Sequence, residues 1–166
     1  EQVMALLNRY LGKMTDIILH HGGTIDEFLG DAVLAAFGAP SVSTDHATKA
    51  VNCAIQMQEA MAEINAENIA DGLPIIEMAI ALNTGEVVAG NIGSERRSKY
   101  GFVGHQVNLT SRIEDDARPH EILISEQTYR ALNGDHFVAG ESRTIKAKGI
   151  EELLTVYPIV GSSSNA

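Results

Sequence analysis

Val3, Leu6, Leu7, Tyr10, Leu11, Met14, Ile17 and Ile18 recur at steps of three and four, the period of a helix with one apolar face. That pattern predicts a first helix, stopped by Gly22 and Gly23. The period then changes. "TIDEFL" and "AVLAAF" are short β-competent runs on either side of Gly30-Asp31, which predicts a β-hairpin. A long amphipathic stretch opens on Ser43, Thr44 and Asp45, residue types that cap helix N-termini, and runs until Asp71-Gly72 and Pro74 stop it. "IIEMAIALNTGEVVAGNIG" and "KYGFVG" read as strands, the later two joined by the polar turn "SERRS". "HQVNLTSRIEDDA" reads as a third helix, "EILIS" as a strand and "EQTYRALNG" as a short helix. "FVAGESRTIKAKGIEELLTVYPIV" reads as one or more closing strands, and "GSSSNA", residues 161–166, as a loose tail. This order predicts an α+β sandwich with helices on one face of a largely antiparallel sheet.

Composition narrows the class. A chain of 166 residues, 45% hydrophobic and 20% charged, fits one globular domain with a sizeable core. A net charge of −10 leaves no broad basic surface for a phosphate backbone, so nucleic acid is not an expected partner; a local cationic pocket for one nucleotide remains open. The single cysteine, Cys53, excludes an internal disulfide framework, suits a reducing compartment and reads as a buried core thiol. No apolar run approaches the roughly 18 residues needed to span a bilayer, and no basic-then-apolar signal segment opens the chain. Neither a Walker sequence nor G-x-G-x-x-G opens any helix, so nucleotide binding would need another geometry.

Three places carry candidate chemistry. In a regular strand from Thr24 to Leu29, Ile25, Glu27 and Leu29 would share one face. A carboxylate among aliphatic side chains costs free energy unless it gains partners. The plainer alternative is an edge strand with Glu27 in water, and an Asp31 that serves only the turn. Asn108 and Arg112 fall four apart on one face of the helix that follows "KYGFVG". An amide and a guanidinium projecting together can hold a ribose oxygen and a transferring phosphate, although a solvated helix face shows the same spacing. Lys146 and Lys148 in "TIKAKGI" add two cations, whose plainer use is surface solubility.

These pieces, in this order, resemble the catalytic domain of the class III nucleotide cyclases, the adenylate and guanylate cyclases. "LLNRYLGKMTDIILHHGGTIDEFLGDAVLAAFGAP" looks like the family's helix and metal-binding hairpin. "YGFVGHQVNLTSRIE" looks like its base-selecting strand and catalytic helix, and "IKAKGIEELLTVYPI" like its closing lysine segment. The resemblance implies a ferredoxin-like βαββαβ core with additional strands over residues 1–160, a homodimer with composite active sites, and two Mg2+ or Mn2+ ions. It makes Asp31 a metal ligand, Asn108 the residue that orients the ribose, Arg112 the transition-state arginine and Lys146 the triphosphate lysine. His105 departs from the family's usual Asp or Asn and suggests a capping or surface position.

Glu27 stands where adenylate cyclases usually carry a lysine, and Gly101 where they usually carry Asp or Thr. Guanine presents N1–H and the exocyclic amine on one edge, two donors that a single carboxylate accepts together, whereas adenine N1 is an acceptor. The activity so implied is conversion of GTP to 3′,5′-cyclic GMP and pyrophosphate in the cytoplasm, with no membrane contact by the domain. Adenylate cyclase is the alternative. The family's first strand, with the first of its two metal aspartates in a pattern like F-x-D-I-x-G-F-T, lies upstream of the residues matched here and Asp31 matches the second, so weak metal binding and low activity are expected of this sequence alone. Two rivals stand beside this reading. "GGTIDEF" echoes the G-G-D/E-E-F signature of diguanylate cyclases, interrupted by Thr24 and Ile25. A non-catalytic nucleotide-binding or dimerisation module is opposed by Asn108, Arg112 and Lys146 and favoured by the missing aspartate.

Overall fold

The computed structural model describes residues 1–132, 136–146 and 152–162, with the backbone alone of residues 98 and 99. It divides into two compact units, Glu1–Met78 and Ala79–Ala166.

In the first unit, α1 (Gln2–His20) and α2 (His46–Ala70) flank a hairpin of β1 (Thr24–Leu29) and β2 (Ala32–Ala36). The later half of the α1 stripe read from the sequence is buried, at Tyr10, Met14, Ile17 and Ile18, with Val51, Ala54, Met57, Met61 and Ile64 on α2, whereas Leu6, Leu7 and Leu11 are half-buried and Val3 is exposed. Cys53 lies in the same core, and burial pushes its thiol pKa up to about 11, so it stays protonated. Polar groups fasten the two helices at one end. Arg9 donates to Asn68 Oδ1 at 2.8 Å, lies 3.3 Å from Glu67, and also pairs with Asp71. Asp45 precedes α2, but its carboxylate accepts from Ser43 and Lys49 instead of capping a backbone N–H. Its pKa is lowered chiefly by that Ser43 hydroxyl.

Two expectations are corrected in this unit and just after it. The pairing of β1 with β2 slips between Ile25, opposite Ala35, and Glu27, opposite Leu34. Directly opposed residues share a face and adjacent residues of β2 do not, so Ile25 and Glu27 point to opposite faces. Glu27 keeps company with Leu29 and Leu34. The strand expected to start at Ile75 begins only at Ile80. Pro74 has no N–H to give a ladder, and Asn65 takes both backbone groups of Ile76, accepting from its N–H at 2.7 Å and donating to its C=O at 2.9 Å.

The second unit is built on β9 (Leu153–Ser162), the longest strand. The strand order is β3 (Ile80–Leu82), β6 (Ile122–Ser125), β9, β7 (Phe137–Ala139), with β8 (Arg143–Lys146) also on β9. Only the β3–β6 pair is parallel among these ladders. β9 reaches Ser162, past the start of the expected tail, and residues 163–166 lie outside the described set. β4 (Val88–Ser94) and β5 (Arg97–Val103) form a separate two-stranded ribbon. α3 (His105–Asp116) packs on β3 and β6, and α4 (Glu126–Ala131) on β6 and β9. Ile113 of α3 is buried with Leu123, Ile145 and Val156, contributed by β6, β8 and β9.

Two glycines separate backbone need from helix propensity. A Cβ on Gly23, between α1 and β1, would meet Ile18 Cγ2 and Phe37 Cζ, both at 2.8 Å; one on Gly12, inside α1, meets nothing within 4 Å. Gly23→Ala is therefore expected to destabilise by about 1–3 kcal/mol, and Gly12→Ala to stabilise by roughly 0.5–1 kcal/mol. Urea unfolding monitored by circular dichroism measures both; equal effects of the same sign would contradict the packing at Gly23.

Candidate active site

The sequence-selected residues fall into two sets, one on each unit. On the hairpin, Asp31 follows Gly30 in the turn and is exposed, while Glu27 is half-buried on β1. Each has a local cause: positive φ at Gly30 closes the turn and leaves Asp31 at its tip, and the β1 slip aims Glu27 to the face of Leu34.

On the second unit, β5 feeds α3 through a single residue, Gly104, whose φ of 137° is a conformation that favours glycine. Gly101 is buried on β5 directly opposite Gly90. In α3, Leu109 and Ile113 are buried and anchor the helix. Asn108 and Arg112, each one position earlier, form the adjacent stripe and are exposed. The structure thus brings these two together on one open helix face. His105 opens α3 and is exposed.

Arg112 lies 4.0 Å from Asp115, with side chains 42% and 67% exposed. An exposed pair of that kind contributes at most about 1 kcal/mol, so the guanidinium can exchange it for a phosphate. Lys146 is exposed at the end of β8, but Ile145 turns inward to the core beneath α3. Strand alternation therefore turns Lys146 to the face of β8 opposite Ile145. Lys148 lies outside the described residues.

The start of α3 is held by contacts that sequence reasoning missed. Asn83 donates to both the backbone carbonyl and Oε1 of Gln106, at 3.0 Å each. Its end is held by Arg143, which donates to both Glu121 oxygens at 2.7 and 2.9 Å, to Asp116 Oδ2 at 3.1 Å and to the Asp116 carbonyl at 3.0 Å. The Arg143 bond holds the Glu121 carboxyl below its ordinary range and raises the guanidinium's own pKa. One signal was present: Asp115-Asp116 closes a helix at its negative end, where acids are unfavourable without a cation.

Among the described residues, no group of three or more His, Cys, Asp and Glu side chains could hold a metal ion. Asp31 offers one exposed carboxylate, so the described residues do not compose a two-metal centre by themselves. No helix among them is long and apolar enough to cross a membrane.

Comparison with known proteins places this arrangement. The family model for the adenylate and guanylate cyclase catalytic domain matches residues 1–161, running through both units. The chain belongs to that family, the class III nucleotide cyclases, and has its mixed α/β fold. The crystal structure of the guanylyl cyclase Cya2 superposes with a TM-score of 0.94 at 48% identity, covering 99% of this chain and 83% of that one. The adenylyl cyclase CyaB from P. aeruginosa gives a TM-score of 0.88 at 35% identity, over 96% and 82%. Adenylate cyclase 1 of Rhizobium meliloti (strain 1021) is 32% identical over 162 residues, 97% of this chain but 24% of that protein. The chain thus spans about a quarter of that curated relative. Relatives of both purine specificities therefore flank it.

Linkage at Glu121 gives a pH-dependent expectation. Its folded pKa is depressed, so the stabilisation is complete above the unfolded value, near 4.3, and is lost as pH falls through the lower folded value. Glu121→Gln should cost about 1–2 kcal/mol at pH 7, and the difference from wild type should shrink steadily below about pH 4. Denaturant titrations across that range check the sign; a difference that grows on acidification would contradict it.

Proposed function

We propose that this chain is the catalytic domain of a guanylate cyclase, converting GTP to 3′,5′-cyclic GMP and pyrophosphate. The observation that carries the choice of purine is Glu27, a half-buried carboxylate at the position where the family's adenylate cyclases usually carry lysine. An ionised carboxylate accepts from guanine N1–H and the exocyclic amine at once, and it faces an unfavourable lone pair on adenine N1. A mismatched edge of this kind supports discrimination of about 10⁴-fold. Gly101, small and buried, agrees with this by offering no acceptor to the adenine amine. The 48% identity to a guanylyl cyclase supports the same choice, while the adenylate cyclase relatives keep the adenylate alternative open.

In the proposed reaction the ribose 3′-oxygen bonds to the α-phosphorus, the bond from that phosphorus to the bridging oxygen breaks, pyrophosphate leaves, and the hydroxyl proton passes to solvent. Asn108 orients the ribose so that attack is in line with the leaving group. Arg112 stabilises the charge that builds on the oxygens of the α-phosphate, and Lys146 holds the triphosphate. Domains of this family generally use divalent metal ions. Asp31 is proposed as one carboxylate ligand for the expected Mg2+ or Mn2+ pair. The working form is proposed to be a cytoplasmic homodimer whose sites take Asp31 from one subunit and Asn108, Arg112 and Lys146 from the other.

The primary test incubates the whole protein carrying this domain with Mn2+ and either GTP or ATP, and separates the products chromatographically. Cyclic GMP as the main product supports the reading; cyclic AMP from ATP as the main product overturns the purine assignment, and no cyclic product overturns the enzyme. Arg112→Ala should lower kcat by about 10²–10³-fold with little change in stability, and Glu27→Lys should erode the preference for GTP. Mixing Asp31→Asn with Arg112→Ala tests the composite site. Half of the dimers would be mixed, each with one intact site, so roughly a quarter of wild-type activity should return; no recovery would contradict shared sites.

A further inference from the structure

We infer that Arg143 is a positioning residue for the catalytic helix, holding the end of α3 at the register in which Arg112 meets the reacting phosphate. The proposal rests on the cyclase reading of Arg112. Arg143 is not itself placed against substrate. Its side chain is 22% exposed and its guanidinium donates to three acceptors from one short stretch of chain: the Asp116 carboxylate, the Asp116 carbonyl and the Glu121 carboxylate.

The placement of these acceptors gives the contact its leverage. Asp116 is the last residue of α3 and lies one helical turn beyond Arg112, on the same face. Its carbonyl is among the last of the helix and has no intrahelical partner, so it needs a donor from elsewhere. Arg143 supplies that donor and a positive charge at the negative end of the helix dipole. Glu121 leads into β6 and closes the loop back by accepting from the Arg118 N–H at 3.1 Å. Arg143 itself stands on β8, opposite Val156 of β9, and shares its strand face with Ile145, which is buried with Ile113 of α3. One side chain therefore ties the C-terminal turn of the catalytic helix to two strands of the sheet that supports it.

The apolar contact at Ile113 sets the distance of α3 from the sheet, but it leaves sliding and fraying of the last turn weakly resisted. The planar fork of Arg143 resists both, because its bonds run in fixed directions to two residues at once. Arg112 projects from that same turn on a long flexible stem. A displacement of about 1 Å in such a group can cost on the order of 10²-fold in rate.

The test separates positioning from stability. In the whole protein with Mn2+ and GTP, Arg143→Met should lower kcat about 10-fold or more with KM changed less than about threefold, since Arg112 acts on the transition state. It also leaves Glu121 as a carboxylate only 14% exposed without its cation, so the thermal midpoint should fall. Combining Arg143→Met with Glu121→Met removes both partners of the buried pair and should return the midpoint toward wild type. Asp116 is still released in that double variant, so kcat should stay low. Recovery of kcat together with stability would overturn the positioning role and leave Arg143 a folding contact, as would a wild-type kcat in Arg143→Met. Arg112→Ala is measured alongside: if it too keeps wild-type kcat, the assignment of Arg112 has failed and not the tether.

Discussion

Burial of Ile113 against Leu123, Ile145 and Val156 is the contact on which the second unit depends, because it decides which way the third helix faces. Leu109 and Ile113 are spaced one turn apart and both go inward. The residue before each must then turn toward solvent, and these are Asn108 and Arg112. An amide and a guanidinium on an open face are useless to the core and available to a ligand. The chemistry of the helix is thus the other side of its packing.

Polar fastening completes what apolar packing leaves loose, and it does so at helix ends. Arg9 binds Asn68, Glu67 and Asp71 around the last turn of α2. Arg143 does the same for the last turn of α3 through Asp116 and Glu121. Both sites fall where backbone carbonyls lack intrahelical partners and the helix dipole favours a cation. In each unit the arginine comes from a distant part of the sequence, so the end of one element is fixed by another.

The hairpin shows how a small irregularity changes the meaning of a residue. With regular pairing, Glu27 would have lain beside Ile25; the slip in register separates them and pairs Glu27 with Leu34. The carboxylate remains half-buried, on the face of Leu29 and Leu34. Asp31, one turn away, is exposed and free of that constraint. Two acids four positions apart on one hairpin therefore have distinct environments.

The helices, the hairpin and the pairing of Asn108 with Arg112 were legible in the sequence, because each rests on contacts within a few residues. Apolar periodicity, Gly30 in its turn and i, i+4 spacing are local quantities. The register slip at Glu27 was not, since it depends on which residue of β2 stands opposite. The late start of β3 was hidden for a similar reason: Asn65, eleven residues earlier, takes the backbone groups of Ile76 that a strand would have used. No periodicity or motif in the sequence marks Arg143. Only the tertiary structure brings it to Asp116 and Glu121, 27 and 22 positions away, because hydrogen bonds of that separation are set by how strands and helices pack and not by the chain near them.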